Sequence, residues 1–328
     1  MNRRDTLLSL LTLSSIAIPL PSFAQESGRI RKIGYLTLEH HELGKGSPKN
    51  LSNALKKIGY EEGRNLIIES RWADRSLESL PALAAELVDR KVELIAAFSN
   101  AEAIAVRDVT RTIPIVLIWG GSPVEEGLVT SLTHPGGNIT GTTYFEPMML
   151  TRSFQFLREA KPSALRIAVV GDHTSNYYRE GMEAIAKSAP SLGVRLNYFD
   201  VTDTDQVPSM LRKVASSRPD GLFFLQGPPF YHRVSEIASF ALEHKLPSIG
   251  STSFWTARGG LLAYHSNPQE TIARCASFID RILRGARPAD LPIEMPKRYE
   301  LTINAKTAKA LDLKIPQSLL IQATQVMQ

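Results

Sequence analysis

Most of the chemistry this chain can offer lies in short polar residues that follow apolar runs. Thr37 and Glu39 come just after the first such run, Ser99 and Asn100 after a later one, and Trp119, Gly120, Gly121 and Ser122 directly after Ile115–Ile118. In the second half, Asp172, His173, Thr174 and Asn176 precede a helical pattern, Gln226 and Gly227 follow another apolar run, and Phe254 and Tyr264 add aromatic rings. Residues of these types hold small ligands: hydroxyls, amides and first-turn backbone N–H groups suit a carboxylate, and an acid suits an amine. Structural readings stand beside these. Ser99 and Asn100 also fit as helix caps before Ala101, Asp172 as a helix-start residue, and Trp119 as a cover over core.

Residue sets that break bonds are missing. No G-x-S-x-G elbow occurs, and no G-x-G-x-x-G follows a strand. Gly44-Lys45-Gly46-Ser47 lacks the glycine spacing of a phosphate loop, and Gly46 stands where Ser or Thr should follow the lysine. Glu39-His40-His41-Glu42 is the one metal-like cluster, but adjacent histidines seldom share an ion and no helical i,i+4 pair is present. A solvated loop is the expectation there. Cys275 is the single cysteine, so no intrachain disulfide forms, and it falls on an apolar helical face with Ile272, Ala276, Ile279 and Leu283. It reads as a core thiol. No catalytic residue, metal or cofactor is expected.

The elements that must position these residues alternate between short β-rich runs and longer amphipathic helices, which argues for parallel sheets. Strands are predicted near 32–38, 65–72, 94–98, 115–118 and 139–143, with helices between them. The second half repeats the plan with strands near 166–170, 195–200, 221–225, 248–250 and 261–264. After Ile118, the spacing predicts a glycine turn, a short helix, a Pro-Gly-Gly-Asn turn and a further strand. Two similar halves imply two doubly wound α/β lobes facing across a cleft. The first lobe is expected to comprise 29–143 and 261–291, and the second 146–255 and 296–328. Chain crossings are expected near 142–147, 251–260 and 291–297, making a hinge of three crossovers.

The N-terminus carries Arg3 and Arg4, a mostly apolar run from Leu7 to Leu20, and Ser22-Phe23-Ala24. This is the pattern of a secretory signal cut after Ala24, which places the mature chain in the periplasm. No cysteine follows the cut to carry a lipid. The formal charge is +5 over 328 residues, with basic residues scattered among acids, so nucleic acid is not an expected partner.

Motifs spread along the mature chain resemble solute-binding proteins of the ABC-transporter "ABC_sub_bind" type. Pro123-Val124, Gly127-Leu128-Val129, Ser131-Leu132, Pro135-Gly136-Gly137-Asn138 and Thr140-Gly141 match its DPV..GLV.SL..PGGN.TG segment. Ser122 replaces the usual Asp. Further matches run through Ile58-Gly59-Tyr60, Gly259–Tyr264, Ile282–Glu294 and Asn304–Pro316, with His265 and Asp312 in place of the usual glycines. The resemblance implies a periplasmic binding protein-like I fold. It further implies a small organic solute, an amino acid or a carboxylate, held between the lobes by a monomer that docks a membrane permease. A ligand-presenting sensor subunit and an exported enzyme of unknown chemistry are the alternatives.

Overall fold

The structure is a computed structural model that describes residues 29–39, 41, 46–143, 147–172, 176–225, 227–230 and 232–328. The signal-like segment 1–24 and the loop residues His40 and 42–45 lie outside the described residues.

The first half folds as β1 (Arg31–Thr37), α1 (Gly46–Lys56), β2 (Leu66–Trp72), α2 (Leu80–Asp89), β3 (Leu94–Ala97), α3 (Asn100–Val109), β4 (Ile115–Gly120) and β5 (Ile139–Thr143). Its five strands lie in the order β2-β1-β3-β4-β5, every pairing parallel. Successive side chains alternate between two buried faces. Ile115 and Leu117 meet α2 and α3, whereas Val116 and Ile118 meet the opposite face with Leu51 and Leu55 of α1. Such two-sided burial explains why the strand is a continuous apolar run. Gly141 has φ +136°, and a Cβ there would lie 2.0 Å from the Leu117 carbonyl oxygen, so only glycine lets β5 approach β4.

The short helix expected after Gly121 is instead a series of turns. Glu126 N–H reaches Ser122 O at 3.1 Å, but Leu128 and Val129 N–H both return to Pro123 O, and Gly127 turns left-handed at φ +64°. That positive φ stops helical propagation after one turn.

The second half runs α4 (Pro147–Ala160), β6 (Arg166–Gly171), α5 (Asn176–Ser188), β7 (Arg195–Asp200), α6 (Val207–Ser216), β8 (Gly221–Phe224), α7 (Val234–Glu243), β9 (Ser248–Gly250), α8 (Ser253–Ala257) and β10 (Leu262–Ser266). There follow α9 (Pro268–Leu283), β11 (Tyr299–Asn304), α10 (Ala305–Ala310), α11 (Gln317–Gln322) and β12 (Gln325–Met327). The second sheet has seven strands in the order β12-β11-β10-β9-β8-β6-β7. The fold is therefore two α/β lobes, as the alternation implied.

Two sequence expectations about the crossings need correction. Leu262–Ser266 was expected in the first lobe, yet it hydrogen-bonds between β9 and β11 in the second sheet. The middle crossing accordingly lies between Ser266 and Pro268, not at 251–260, a stretch that stays with the second lobe through α8. The apolar run of β10 announces a strand but not its partner. From that crossing α9 returns to the first lobe, where Cys275, Phe278 and Ile279 complete the α1 face of the core. The pairing of β10 with β11 is antiparallel, the one exception among these strand pairings. Its cause is topological: β10 leaves the second lobe toward the hinge, and β11 enters from it, so the two must run in opposite directions.

Candidate functional site

The carboxyl ends of β1, β3, β4 and β5 are tied together by side chains at the strand ends and in the first turn of α3. Ser99, in extended conformation, caps α3 and forms a capping box with Glu102 three residues on. Glu102 is fully buried. One of its oxygens accepts the Leu38 N–H at 2.5 Å, and the other accepts the Ser99 N–H at 2.9 Å and the Ser99 hydroxyl. Burial pushes its carboxyl above the ordinary carboxylate range, opposed by these hydrogen bonds from Ser99 and Leu38.

Asn100 opens α3 and is 7 % exposed. Its side-chain oxygen accepts the Gly121 N–H at 3.1 Å, while its Nδ2 is buried with no acceptor among the described residues. Because a backbone N–H can only donate, the amide orientation is settled by Gly121. Thr143, at the end of β5, donates its hydroxyl toward the carbonyls of Gly120 and Gly121 at 2.9 and 2.6 Å. Thr37, fully buried at the end of β1, accepts the Glu39 N–H on its hydroxyl at 3.1 Å.

The structure thus brings Thr37, Glu39, Ser99, Asn100, Gly120 and Gly121 to one edge of the first sheet. Ser122 is buried beside them at the start of the turns that follow β4. Trp119 is half-buried and packs against the core face shared with α9, which favours the covering role. Glu102 and Thr143 complete this edge and were not singled out from sequence. For Glu102 a signal existed, because Ser-x-x-Glu ahead of an apolar pattern is a capping box.

In the second lobe Asp172 is buried directly after β6, and a Cβ on Gly227 would come within 3.5 Å of the Asp172 Cβ, so these two strand ends adjoin. Asn176 is the first residue of α5. His173, Thr174 and Gln226 lie outside the described residues. Two of the rings sit differently from the rest of the set. Phe254 is 61 % exposed on α8, while its neighbour Trp255 is fully buried and packs on Phe224 with ring centroids 4.8 Å apart. Tyr264 packs among second-lobe rings, with Phe156 at 5.0 Å and Tyr299 at 5.6 Å. His265 is buried in the hinge strand, with Nδ1 at 2.9 Å from the Ser266 carbonyl and Nε2 at 3.3 Å from the Thr302 hydroxyl, and burial lowers its pKa.

Among the described residues no group of three His, Cys, Asp or Glu side chains is arranged to hold a metal ion. His41 sets its ring edge-on to Trp72 at 4.6 Å. Cys275 is buried 3.7 Å from the Thr142 hydroxyl, and burial pushes its thiol up to about 12.

A strand-end edge of hydroxyls, amides and a helix N-terminus in the first of two α/β lobes is suited to holding a small ligand, and the match of residues 36–327 to the family model described as ABC transporter substrate binding protein decides the family. The chain belongs to that family. Within reach of this substrate-binding protein lies a tyrosine-binding protein of Clostridioides difficile, 26 % identical over 292 residues, which span 88 % of this chain and 83 % of the relative. Two solved structures share its fold over 91 % of this chain and 100 % of theirs. A conserved domain protein from Vibrio cholerae has a TM-score of 0.84 at 24 % identity. An ABC domain from Streptococcus pneumoniae in complex with L-Trp has 0.83 at 22 %. The substrate-binding protein therefore has the two-lobed, type I periplasmic binding protein-like architecture expected from its motifs.

Proposed function

We propose that this chain is the exported solute receptor of an ABC-type uptake system and that it binds a free amino acid between its lobes. The observation that carries the reading is the first-lobe edge itself. There a buried Asn100 amide, without an acceptor among the described residues, stands at the first turn of α3 beside the glycine turn after β4. A ligand carboxylate would satisfy that donor and gain from the positive end of the helix. Asp172, from the second lobe, is the group suited to the ligand's ammonium. The names of the tyrosine-binding and L-Trp-complexed relatives favour an aromatic amino acid.

In this reading each lobe supplies part of the contacts, so ligand shifts the equilibrium toward the closed form, and the closed form docks a membrane permease. No chemical step is involved. Export rests on the Arg3–Ala24 signal pattern, and among the described residues no helix is long and apolar enough to cross a membrane. The mature protein is expected to act as a monomer.

A thermal-shift screen of the chain from Gln25 onward, against amino acids, carboxylates, nucleosides and sugars, tests the proposal. A ligand at roughly a thousand times its dissociation constant stabilises by about 4 kcal/mol, a shift of several degrees. L-Tyrosine or L-tryptophan should give such a shift and be recovered unaltered. A hit confined to sugars or nucleosides, or a ligand recovered converted, would overturn it.

A further inference from the structure

Ser99 and Asn100 are neighbours at one strand end, yet their hydrogen-bonding capacities are committed in opposite senses. The Ser99 hydroxyl points its proton at Glu102, and the Asn100 oxygen is occupied by the Gly121 N–H. We propose that Glu102 is a positioning residue that sets the polarity of Ser99, so that Ser99 offers a ligand an accepting oxygen while Asn100 offers it a donor. The inference rests on the reading of this edge as the amino-acid site.

The proton inventory leads there. The N–H groups of Leu38 and Ser99 can only donate, and each faces a different Glu102 oxygen. Both oxygens must therefore accept. A carboxylate takes these two bonds and the Ser99 hydroxyl without conflict, because it is acceptor-only, and these donors oppose the burial that raises its pKa. Ser99 then has no proton left for a ligand carboxylate, and since the capping box engages one of its lone pairs with the Glu102 N–H, one accepting position remains. Asn100 is the reverse case: its acceptor is spent and its buried Nδ2 hydrogens are not, among the described residues. An acceptor beside a donor matches a ligand that carries N–H next to an anionic oxygen. The α-ammonium and α-carboxylate of a free amino acid do so, and a carboxylic acid without the amine does not.

Calorimetric titrations with L-tyrosine and with its deaminated counterpart, 3-(4-hydroxyphenyl)propionate, read this polarity directly. Wild type should prefer L-tyrosine. Ser99→Ala, which leaves both backbone bonds of Glu102 in place, should lose about tenfold on L-tyrosine, the worth of one hydrogen bond to a charged group, and little on the deaminated acid. Glu102→Gln places an amide donor against the Ser99 oxygen and releases the serine proton, so the preference should narrow or reverse. Equal weakening of both probes in both variants would mark Glu102 as a structural cap only and overturn the assignment.

If wild type binds neither probe, the amino-acid reading fails, and the polarity is then judged without ligand. Proton NMR of the ligand-free protein should show a slowly exchanging Ser99 hydroxyl proton that is lost in Glu102→Gln. A rapidly exchanging hydroxyl in wild type would sink the inference whatever the ligand is.

Discussion

The Gly121 backbone N–H donates to the side-chain oxygen of Asn100 over 3.1 Å, joining the first turn of α3 to the turn after β4. Asn100→Ala would leave that N–H without its partner and also remove the unspent donor beside it. We expect a stability loss of about 1–3 kcal/mol by urea denaturation and at least tenfold weaker amino-acid binding by calorimetry. Asn100→Asp keeps the acceptor and replaces the donor by charge, so it should fold well and bind poorly. An Asp variant that bound as tightly as wild type would remove Asn100 from the site.

Asp172 and Trp119 should separate binding from folding. Asp172→Asn is expected to weaken an amino acid by tenfold or more while costing less in denaturation midpoint than in affinity, because the amide keeps the carboxylate's size in this buried position. Trp119→Ala should lower stability by roughly 2–4 kcal/mol, since the ring packs against the α1 and α9 face. Unchanged affinity in Asp172→Asn would move the ammonium contact elsewhere.

Asp220 gives a pH-dependent contribution whose sign follows from its partners. The Arg166 guanidinium, with backbone N–H groups of Arg166 and Leu165, holds its carboxyl down to about 2 from an ordinary 3.8. The folded state therefore favours the ionised form, and the stabilisation is complete above about 3.8 and lost as pH falls through about 2. Asp220→Asn should be less stable than wild type at pH near neutrality, and the difference should shrink to nothing in strong acid. Matched urea titrations across that range check it.

Cys275 should be inert in the folded protein. Full burial and a thiol pushed up to about 12 leave almost no thiolate at neutral pH. A thiol-specific reagent is expected to label it only after denaturant is added. Rapid labelling of the native protein would mean that α9 detaches from the first lobe far more readily than its packing implies.

Much of this architecture was legible because periodicity reports burial directly. Ile115–Ile118, short, rich in β-branched residues and closely followed by Gly-Gly, reads as a strand covered on both faces, and Gly141, which follows a Pro-Gly-Gly-Asn turn, is tolerated as no other residue would be against Leu117. What periodicity does not report is the identity of a partner. The run at Leu262 looks the same whether it joins the first sheet or the second, and the choice is made by β9 and β11. Glu102 was hidden for a related reason. A glutamate in a helical pattern ordinarily faces water, and the Ser99 hydroxyl with the Leu38 and Ser99 N–H groups makes burial tolerable for it. The turns after Ser122 resemble a short helix in sequence because Gly127 stops the helix locally, while the surrounding residues still suit one.

The return of α9 to the first lobe also dictates an order of assembly. Phe278, Ile279 and Ile282, which seal one face of the first sheet, are encoded after the whole run from α4 to β10. A nascent chain released to about residue 260 would hold all five strands of the first sheet, with the face shared by α1 and α9 only partly covered. The first lobe thus matures only once most of its companion has been synthesised, and premature termination anywhere before α9 leaves a sticky intermediate suited to holding by chaperones rather than a stable half-protein.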